Sequence, residues 1–135
     1  VVTRSIISEG TDVYGEVHNS VIGSGVTIGK GSVIRDSIIM KNTVIGENCV
    51  IDRAIIAENS VVGDGAVLGV GEDIPNKKKP SVYCFGLVTI GDSTVIPPNV
   101  KIGKNTAIEG ETTPEDYPGG VLDSGETLIK AGGVL

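Results

Sequence analysis

The sequence predicts an all-β protein, a single-stranded parallel β-helix of about five coils, and three observations carry that prediction. The first is composition: 17 Ile and 19 Val among 135 residues, with three Tyr, one Phe and no Trp, a β-branched excess that favours strands over a helical bundle or an aromatic-centred sandwich. The second is the 20 glycines, about twice the usual share of roughly 7 % and a sign of many tight turns. The third is a repeat. Ile22-Gly23-Ser24-Gly25-Val26-Thr27 is followed by Ile28-Gly29-Lys30-Gly31-Ser32-Val33, and the same block restarts at Ile39, Ile45 and Ile51 and again at Ile56, Val62 and Leu68. The larger period is therefore 17 residues, three short strands to a turn, and stacked turns of this kind bury one another's apolar faces.

Taken in chain order, residues 1–110 form the helix, with Ile7 to Asn19 as a shorter first coil. At a period of 17, Ile22 stands under Ile39 and Ile56, Ile28 under Ile45 and Val62, and Ile34 under Ile51 and Leu68, giving three aliphatic ladders. The fourth position of each block is Gly25, Gly31, Asn42, Asn48, Asn59 or Gly65. Only Gly and Asn occur there, the residues that take positive φ at least cost, so these are corners. The fifth position (Val26, Ser32, Thr43, Cys49, Ser60, Ala66) is small and points into a narrow prism, which makes Cys49 an interior filler. Between Gly69 and Leu87 the blocks stop, so 70–87 is a loop projecting from one corner. They resume through Ile90, Ile96, Ile102 and Ile108. Pro114, Pro118 and Gly119-Gly120 then mark residues 111–135 as a C-terminal loop, with a short strand at 126–131 packing on the helix.

Eleven Lys and Arg against 17 Asp and Glu leave a formal charge of −6, which provides no broad basic surface for a nucleic-acid backbone. The longest apolar runs are four residues, as at 54–57, far below the roughly 18 that span a bilayer, and no signal-peptide pattern opens the chain. The expectation is a cytoplasmic protein with neither a nucleic-acid nor a membrane partner. Cys49 and Cys84 lack any metal or CxxC spacing. The chain opens on Val1, which reads as a domain cut from something longer. At period 17, Arg35 meets Asp52, Asp36 meets Arg53, Lys41 meets Glu58 and Lys30 meets Glu47. These are expected as exposed ion pairs of about 0.2 to 1 kcal/mol each that help set register.

The block of aliphatic, Gly, any, Asn or Gly, small, any resembles the hexapeptide repeat of left-handed β-helix proteins, and this resemblance implies the left hand. Such proteins serve acyl transfer, metal-dependent hydration, or non-catalytic assembly and regulation. A zinc site of the hydration type needs three imidazoles, and this chain has one histidine. Acyl transfer needs a general base, for which His18 is the sole candidate. At period 17 it occupies a polar corner ladder with Arg35 and Asp52. No phosphate-binding loop of the G-x-x-x-x-G-K-[ST] kind is present.

Longer strings are more specific. Gly15-Glu16-Val17-His18-Asn19-Ser20-Val21-Ile22-Gly23, Val33-Ile34-Arg35-Asp36-Ser37-Ile38-Ile39-Met40, Cys49-Val50-Ile51-Asp52-Arg53-Ala54-Ile55-Ile56 and Gly86-Leu87-Val88-Thr89-Ile90-Gly91, with the tail Thr113-Pro114-Glu115-Asp116-Tyr117-Pro118, resemble the C-terminal β-helix domain of bacterial glucose-1-phosphate adenylyltransferases. That family makes ADP-glucose and pyrophosphate from ATP and glucose 1-phosphate for glycogen synthesis. Its Mg²⁺ and ATP are handled by an N-terminal nucleotidyltransferase domain whose motifs do not occur here, so the resemblance implies no catalytic residue, metal site or cofactor in this chain. It implies packing on that N-terminal domain, help in building a homotetramer, and a contribution to sites for phosphorylated metabolite effectors. Anions of that kind need cations, a bidentate guanidinium best of all. Arg53 matches a basic position the family places near its effector pocket, and Lys77, Lys78, Lys79 and Lys130 are further candidates.

Two other readings stay open: a stand-alone hexapeptide acyltransferase using His18, and the same domain of a related sugar-phosphate nucleotidyltransferase. Light scattering on this 13.8 kDa chain separates the first from the rest. A stable trimer is the outcome expected of an acyltransferase whose sites lie between subunits, and a monomer or weak dimer that of a domain parted from its catalytic partner.

Overall fold

A computed structural model describes residues 1–130 and arranges their strands as three parallel walls. The first wall stacks Val2–Thr3, Glu16–His18, Val33–Arg35, Val50–Asp52, Val67–Val70, Lys101–Gly103 and Val121–Leu122. The second stacks Ile6–Ile7, Val21–Ile22, Ile38–Ile39, Ala54–Ile56, Val88–Ile90, Thr106–Glu109 and Thr127–Ile129. Asp12–Val13, Thr27–Ile28, Val44–Ile45, Val61–Val62 and Val95–Ile96 make the third. The all-β parallel solenoid expected from the repeat is therefore present, but two of its walls hold seven rungs where about five coils were expected. The surplus lies at the ends. Rungs such as Val2–Thr3 and Val121–Leu122 pair through backbone amides and carbonyls, which do not require the aliphatic-glycine spacing that counts coils in the sequence.

The three aliphatic ladders form in the expected register, with Ile22, Ile39 and Ile56 on one wall, Ile28, Ile45 and Val62 on another, and Ile34, Ile51 and Leu68 on the third. They run on through Ile90, Ile108 and Leu128, through Ile96, and through Ile102 and Leu122. The core isoleucines are at most 1 % exposed, and each contributes about 1.5–3 kcal/mol of burial. Near its start the prism is narrower. Val13 pairs with Ile28, but Glu16 already pairs with Val33, so two residues fewer turn that first corner, in keeping with a short opening coil.

All six Gly and Asn corner positions have positive φ, between 57° and 79°. The corner joining the first wall to the second works differently. It turns on a single left-handed residue, Arg4, Asn19, Asp36 or Arg53, with φ between 44° and 55°. Here only five residues separate successive core positions (Ile34 to Ile39, Ile51 to Ile56), and the missing sixth leaves one residue to make the turn.

Inside each corner a small polar side chain closes the backbone's accounts. The hydroxyl of Ser20 donates to the carbonyl of His18 (2.8 Å) and accepts from the amide of Ser37 (3.1 Å); that of Ser37 donates to Arg35 (2.7 Å) and accepts from Ala54 (3.0 Å). Ser32 does the same for Gly46 and Cys49 at a second corner, and Thr43 and Ser60 at the third. Cys49 is fully buried in this series, its thiol 3.2 Å from the carbonyl of Gly63, and burial pushes that thiol's pKa up. Where it is Ser32, Thr43, Cys49 or Ser60, the fifth block position is thus a hydrogen-bonding site as well as a small one.

The chain leaves the stack after Val70 and rejoins it at Val88, at the corner between the first and second walls. This excursion is tied down by two asparagines. Buried Asn76 donates from Nδ2 to the carbonyl of Asn105 (2.9 Å) and to Thr127 Oγ1 (3.1 Å), while its Oδ1 accepts from the amides of Lys78 and Lys79 (both 2.9 Å). Asn105 Oδ1 in turn accepts from the amide of Gly86 (2.8 Å). Beyond Glu111, which bridges to Val95, the third wall gives way to two 3₁₀ turns, Pro114–Asp116 and Pro118–Gly120. Tyr117 between them enters the core, 2 % exposed, its hydroxyl 2.8 Å from that of Thr112. The expected strand at 126–131 is present as Thr127–Ile129; its last residue, Ala131, lies outside the described residues.

Of the four ion pairs expected from the 17-residue period, only Lys41–Glu58 forms, at 3.7 Å; the other three are not made among the described residues. Arg35 and Asp52 are register neighbours but do not close a pair. Asp36 Oδ1 instead accepts from Asn19 Nδ2 at 2.8 Å, and Arg53 donates from Nη2 to the carbonyl of Phe85 at 2.9 Å. Each of these two side chains therefore has a partner other than the one expected, Asp36 in the rung below it and Arg53 in the excursion.

Two outcomes are expected. Ser37→Ala leaves the buried amide of Ala54 without an acceptor and should cost about 1–3 kcal/mol in urea unfolding, whereas Cys49→Ser, which places a hydroxyl donor where the thiol already faces the carbonyl of Gly63, should cost less. Burial holds the Tyr117 phenol neutral up to about 12, above its ordinary 10.0. Its contribution is therefore intact below pH 10 and lost as pH rises toward 12, so Tyr117→Phe should flatten the alkaline fall in melting temperature over that interval.

Candidate functional site

The cations named from the sequence do not form one cluster. Lys77 pairs with Glu126, an interaction that raises the lysine's pKa. The recess it lines, about 400 Å³ with Val70, Ile74, Val121 and Leu122 among its walls, also carries Glu72, Asp123 and Glu126. Three carboxylates to one ammonium make it a poor seat for an anion. Lys130 Nζ lies 2.8 Å from Asp116 Oδ2, and that pairing, with the amide of Thr113, holds the Asp116 carboxyl below its usual range. Lys78 and Lys79 are exposed, their backbone amides fixed by Asn76.

Arg53 stands apart. It is exposed, left-handed at φ 55°, and no carboxylate lies within 4.0 Å of it among the described residues. A bulky side chain in that conformation costs on the order of 1–3 kcal/mol, and such strain persists only where the surroundings impose it. They do so here through the Arg53 amide, which donates to Arg35 (3.1 Å), and the Arg53 carbonyl, which accepts from Val88 (2.9 Å). Below it runs an open groove of about 480 Å³ lined by Asn19, Ser20, Val21, Asp36, Ser37, Ile38 and Leu87. The one carboxylate there, Asp36, is engaged by Asn19.

Above Arg53 sit two residues that the repeat does not single out. Phe85 is also left-handed (φ 62°) and 77 % exposed. Gly86, at φ 73°, is buried between two long side chains: a Cβ there would be in ordinary contact with Arg53 Nε at 3.7 Å and Lys104 Cδ at 3.8 Å. Lys104 therefore reaches toward Arg53 from the coil above. The sequence does hold one sign of it. Ile102 and Ile108 are six residues apart, where Ile51 and Ile56 are five, so the corner widens by one residue in the coil that carries Lys104.

His18 is half-buried on the first wall, where it pairs in register with Arg35. Thr3 Oγ1 lies 2.6 Å from its Nδ1 and Glu16 Oε1 3.2 Å from its Nε2. Both ring nitrogens are thus occupied by side chains of the first two rungs. Among the described residues no three His, Cys, Asp or Glu side chains converge as a metal ion would require, and no helix is long and apolar enough to cross a membrane.

Residues 1–90 match the family model of the GlmU-like C-terminal hexapeptide. Over 131 residues the chain is 68 % identical to a glucose-1-phosphate adenylyltransferase of Lachnospira eligens, covering 97 % of this chain and 31 % of that protein. Proteins of the same name from Thermotoga maritima and Acetivibrio thermocellus are 59 % and 41 % identical, over 95 % and 97 % of this chain and 30 % and 31 % of theirs. The chain thus spans less than a third of the length of these curated relatives.

Proposed function

The chain belongs to the GlmU-like C-terminal hexapeptide family, and from that premise we propose that it is the non-catalytic C-terminal domain of a cytoplasmic glucose-1-phosphate adenylyltransferase, the enzyme that joins ATP and glucose 1-phosphate into ADP-glucose and pyrophosphate for glycogen synthesis. The observation that carries this reading is 68 % identity along 97 % of the chain to a protein of that name more than three times as long. In this reading Mg²⁺ and ATP belong to the remainder of the parent.

The domain's work in this reading is assembly and control. A column held by three aliphatic ladders moves as one body, so a ligand gripped at one corner changes how the whole column sits against the nucleotidyltransferase domain and against sister subunits in the tetramer. Apolar residues face outward along its length, Val33, Val50 and Val67 on the first wall and Ile6, Val21 and Ile38 on the second, and these stripes suit packing against such partners. Arg53 is the best-placed of the effector candidates, since Lys77 and Lys130 already hold carboxylates.

The test is pyrophosphate release by the full-length subunit with glucose 1-phosphate. Release with ATP and formation of ADP-glucose is the expected result; strict use of another nucleotide would assign the chain to a related sugar-phosphate nucleotidyltransferase. Arg53→Ala should weaken the response to phosphorylated effectors about tenfold and leave the effector-free rate unchanged. An unaltered titration would remove Arg53 from the effector site.

A further inference from the structure

We propose that the recess between the base of the excursion and the last rung of the first wall binds an aliphatic diamine, a methylene chain with an ammonium group at each end. The recess, about 400 Å³, falls within the size range of small-ligand sites. Its walls include Val70, Ile74, Val121 and Leu122. The first three of these are 36–42 % exposed, so apolar surface faces solvent where methylene groups can cover it. The charge of the recess has the sign opposite to that required by a phosphate, and the inference does not draw on the enzyme reading. Glu126 already holds the ammonium of Lys77, an interaction that, with the charge of Asp123, raises that lysine's pKa. Glu72 and Asp123 line the same recess, and neither has a cation within 4.0 Å among the described residues.

Two unpaired carboxylates call for two positive charges, and their placement decides how those charges are carried. Glu72 belongs to the excursion, and Asp123 to the turn that follows Val121–Leu122. Among the described residues no three acidic side chains converge as a metal ion requires, so one small dication does not serve this recess. A chain with separated ammonium groups does, because it reaches both carboxylates while its methylenes lie across the apolar walls. The backbone around the recess is already set. Asn105 Nδ2 donates to the carbonyl of Ile74 (2.9 Å), the amide of Lys77 donates to the carbonyl of Gly125 (2.9 Å), and Leu122 pairs in register with Ile102. Only the exposed side chains of Glu72 and Asp123 have to settle, so little order is lost when the ligand arrives. A bound diamine spans the excursion and the last rung, and therefore stabilises the packing of one on the other.

The measurement is titration calorimetry of the full-length subunit with putrescine, accompanied by its melting temperature. Putrescine is expected to bind at millimolar concentration and to raise the melting temperature, n-butylamine to bind about threefold more weakly, and uncharged butanediol to do neither. Glu72→Gln and Asp123→Asn are each expected to weaken putrescine about threefold. Lys77→Met, which frees the Glu126 carboxylate, is expected to strengthen it, and Glu9→Gln, in the first coil, to change nothing. Circular dichroism identifies any variant that has lost its fold, in which case the contrast of putrescine with butanediol and the effect of Lys77→Met decide. Failure of putrescine to bind overturns the proposal, as does undiminished affinity in folded Glu72 and Asp123 variants. So do equal binding of butanediol, the mark of an apolar recess only, and displacement of putrescine by an equal concentration of magnesium ion, the mark of a simple cation site. Tighter binding of a tri-arginine peptide than of putrescine, or self-association of the subunit that Glu72→Gln abolishes, overturns it in favour of a basic protein segment or a second copy. The enzyme reading is decided separately, by pyrophosphate release.

Discussion

The width of the prism governs everything else in this molecule. Each wall offers one inward position per coil, filled by Ile, Val or Leu, and the three side chains must meet at the centre without a gap. That requirement fixes how far apart the walls stand, and therefore how sharply the chain must turn between them. Extended residues cannot make the turn, so every coil carries left-handed residues at its corners. The buried corner amides and carbonyls, denied water, are then served by a serine, threonine or cysteine from a neighbouring coil.

This hierarchy explains what could be read from the residues alone. Ile22, Ile39 and Ile56 announce one wall because an aliphatic residue is the only solution at that position, and Asn42, Asn48 and Asn59 announce corners because few residues accept their backbone. The first-to-second-wall corner is less legible. Its left-handed residues include Arg4 and Arg53, which carry no conformational signature, and their identity as the pivot emerges only once the five-residue spacing is folded. The expected pairing of Asp36 with Arg53 gave way to other partners, since Asn19 lies one rung below Asp36 and the excursion brings the Phe85 carbonyl to Arg53. The outermost rungs escaped the count because backbone pairing persists where the side-chain rule lapses.

The surroundings of the cations were partly legible for a related reason. Arg53 came from resemblance, and Lys77, Lys78, Lys79 and Lys130 from charge alone; charge does not reveal that Glu126 and Asp116 already neutralise two of them. Lys104 was hidden because the repeat treats everything between Ile102 and Ile108 as spacer. Its neighbour in space, Gly86, lies 18 residues earlier and belongs to the excursion, so no local pattern joins them.

The excursion has one further property. Ala54 pairs with Val88, Val61 with Val95 and Val67 with Lys101, each 34 positions on, twice the 17-residue period. The segment that leaves the stack is therefore as long as a coil, and the rung above docks directly onto the rung below as though that coil had been lifted out. Because the stack is held by vertical contacts and not by chain length, it closes over the omission with the ladders in phase. The displaced length of chain then becomes upholstery, laying Tyr83 and Asn76 against the column and leaving the Phe85 ring on its surface. A solenoid can thus set a whole coil's length of chain outside its stack without changing its arithmetic.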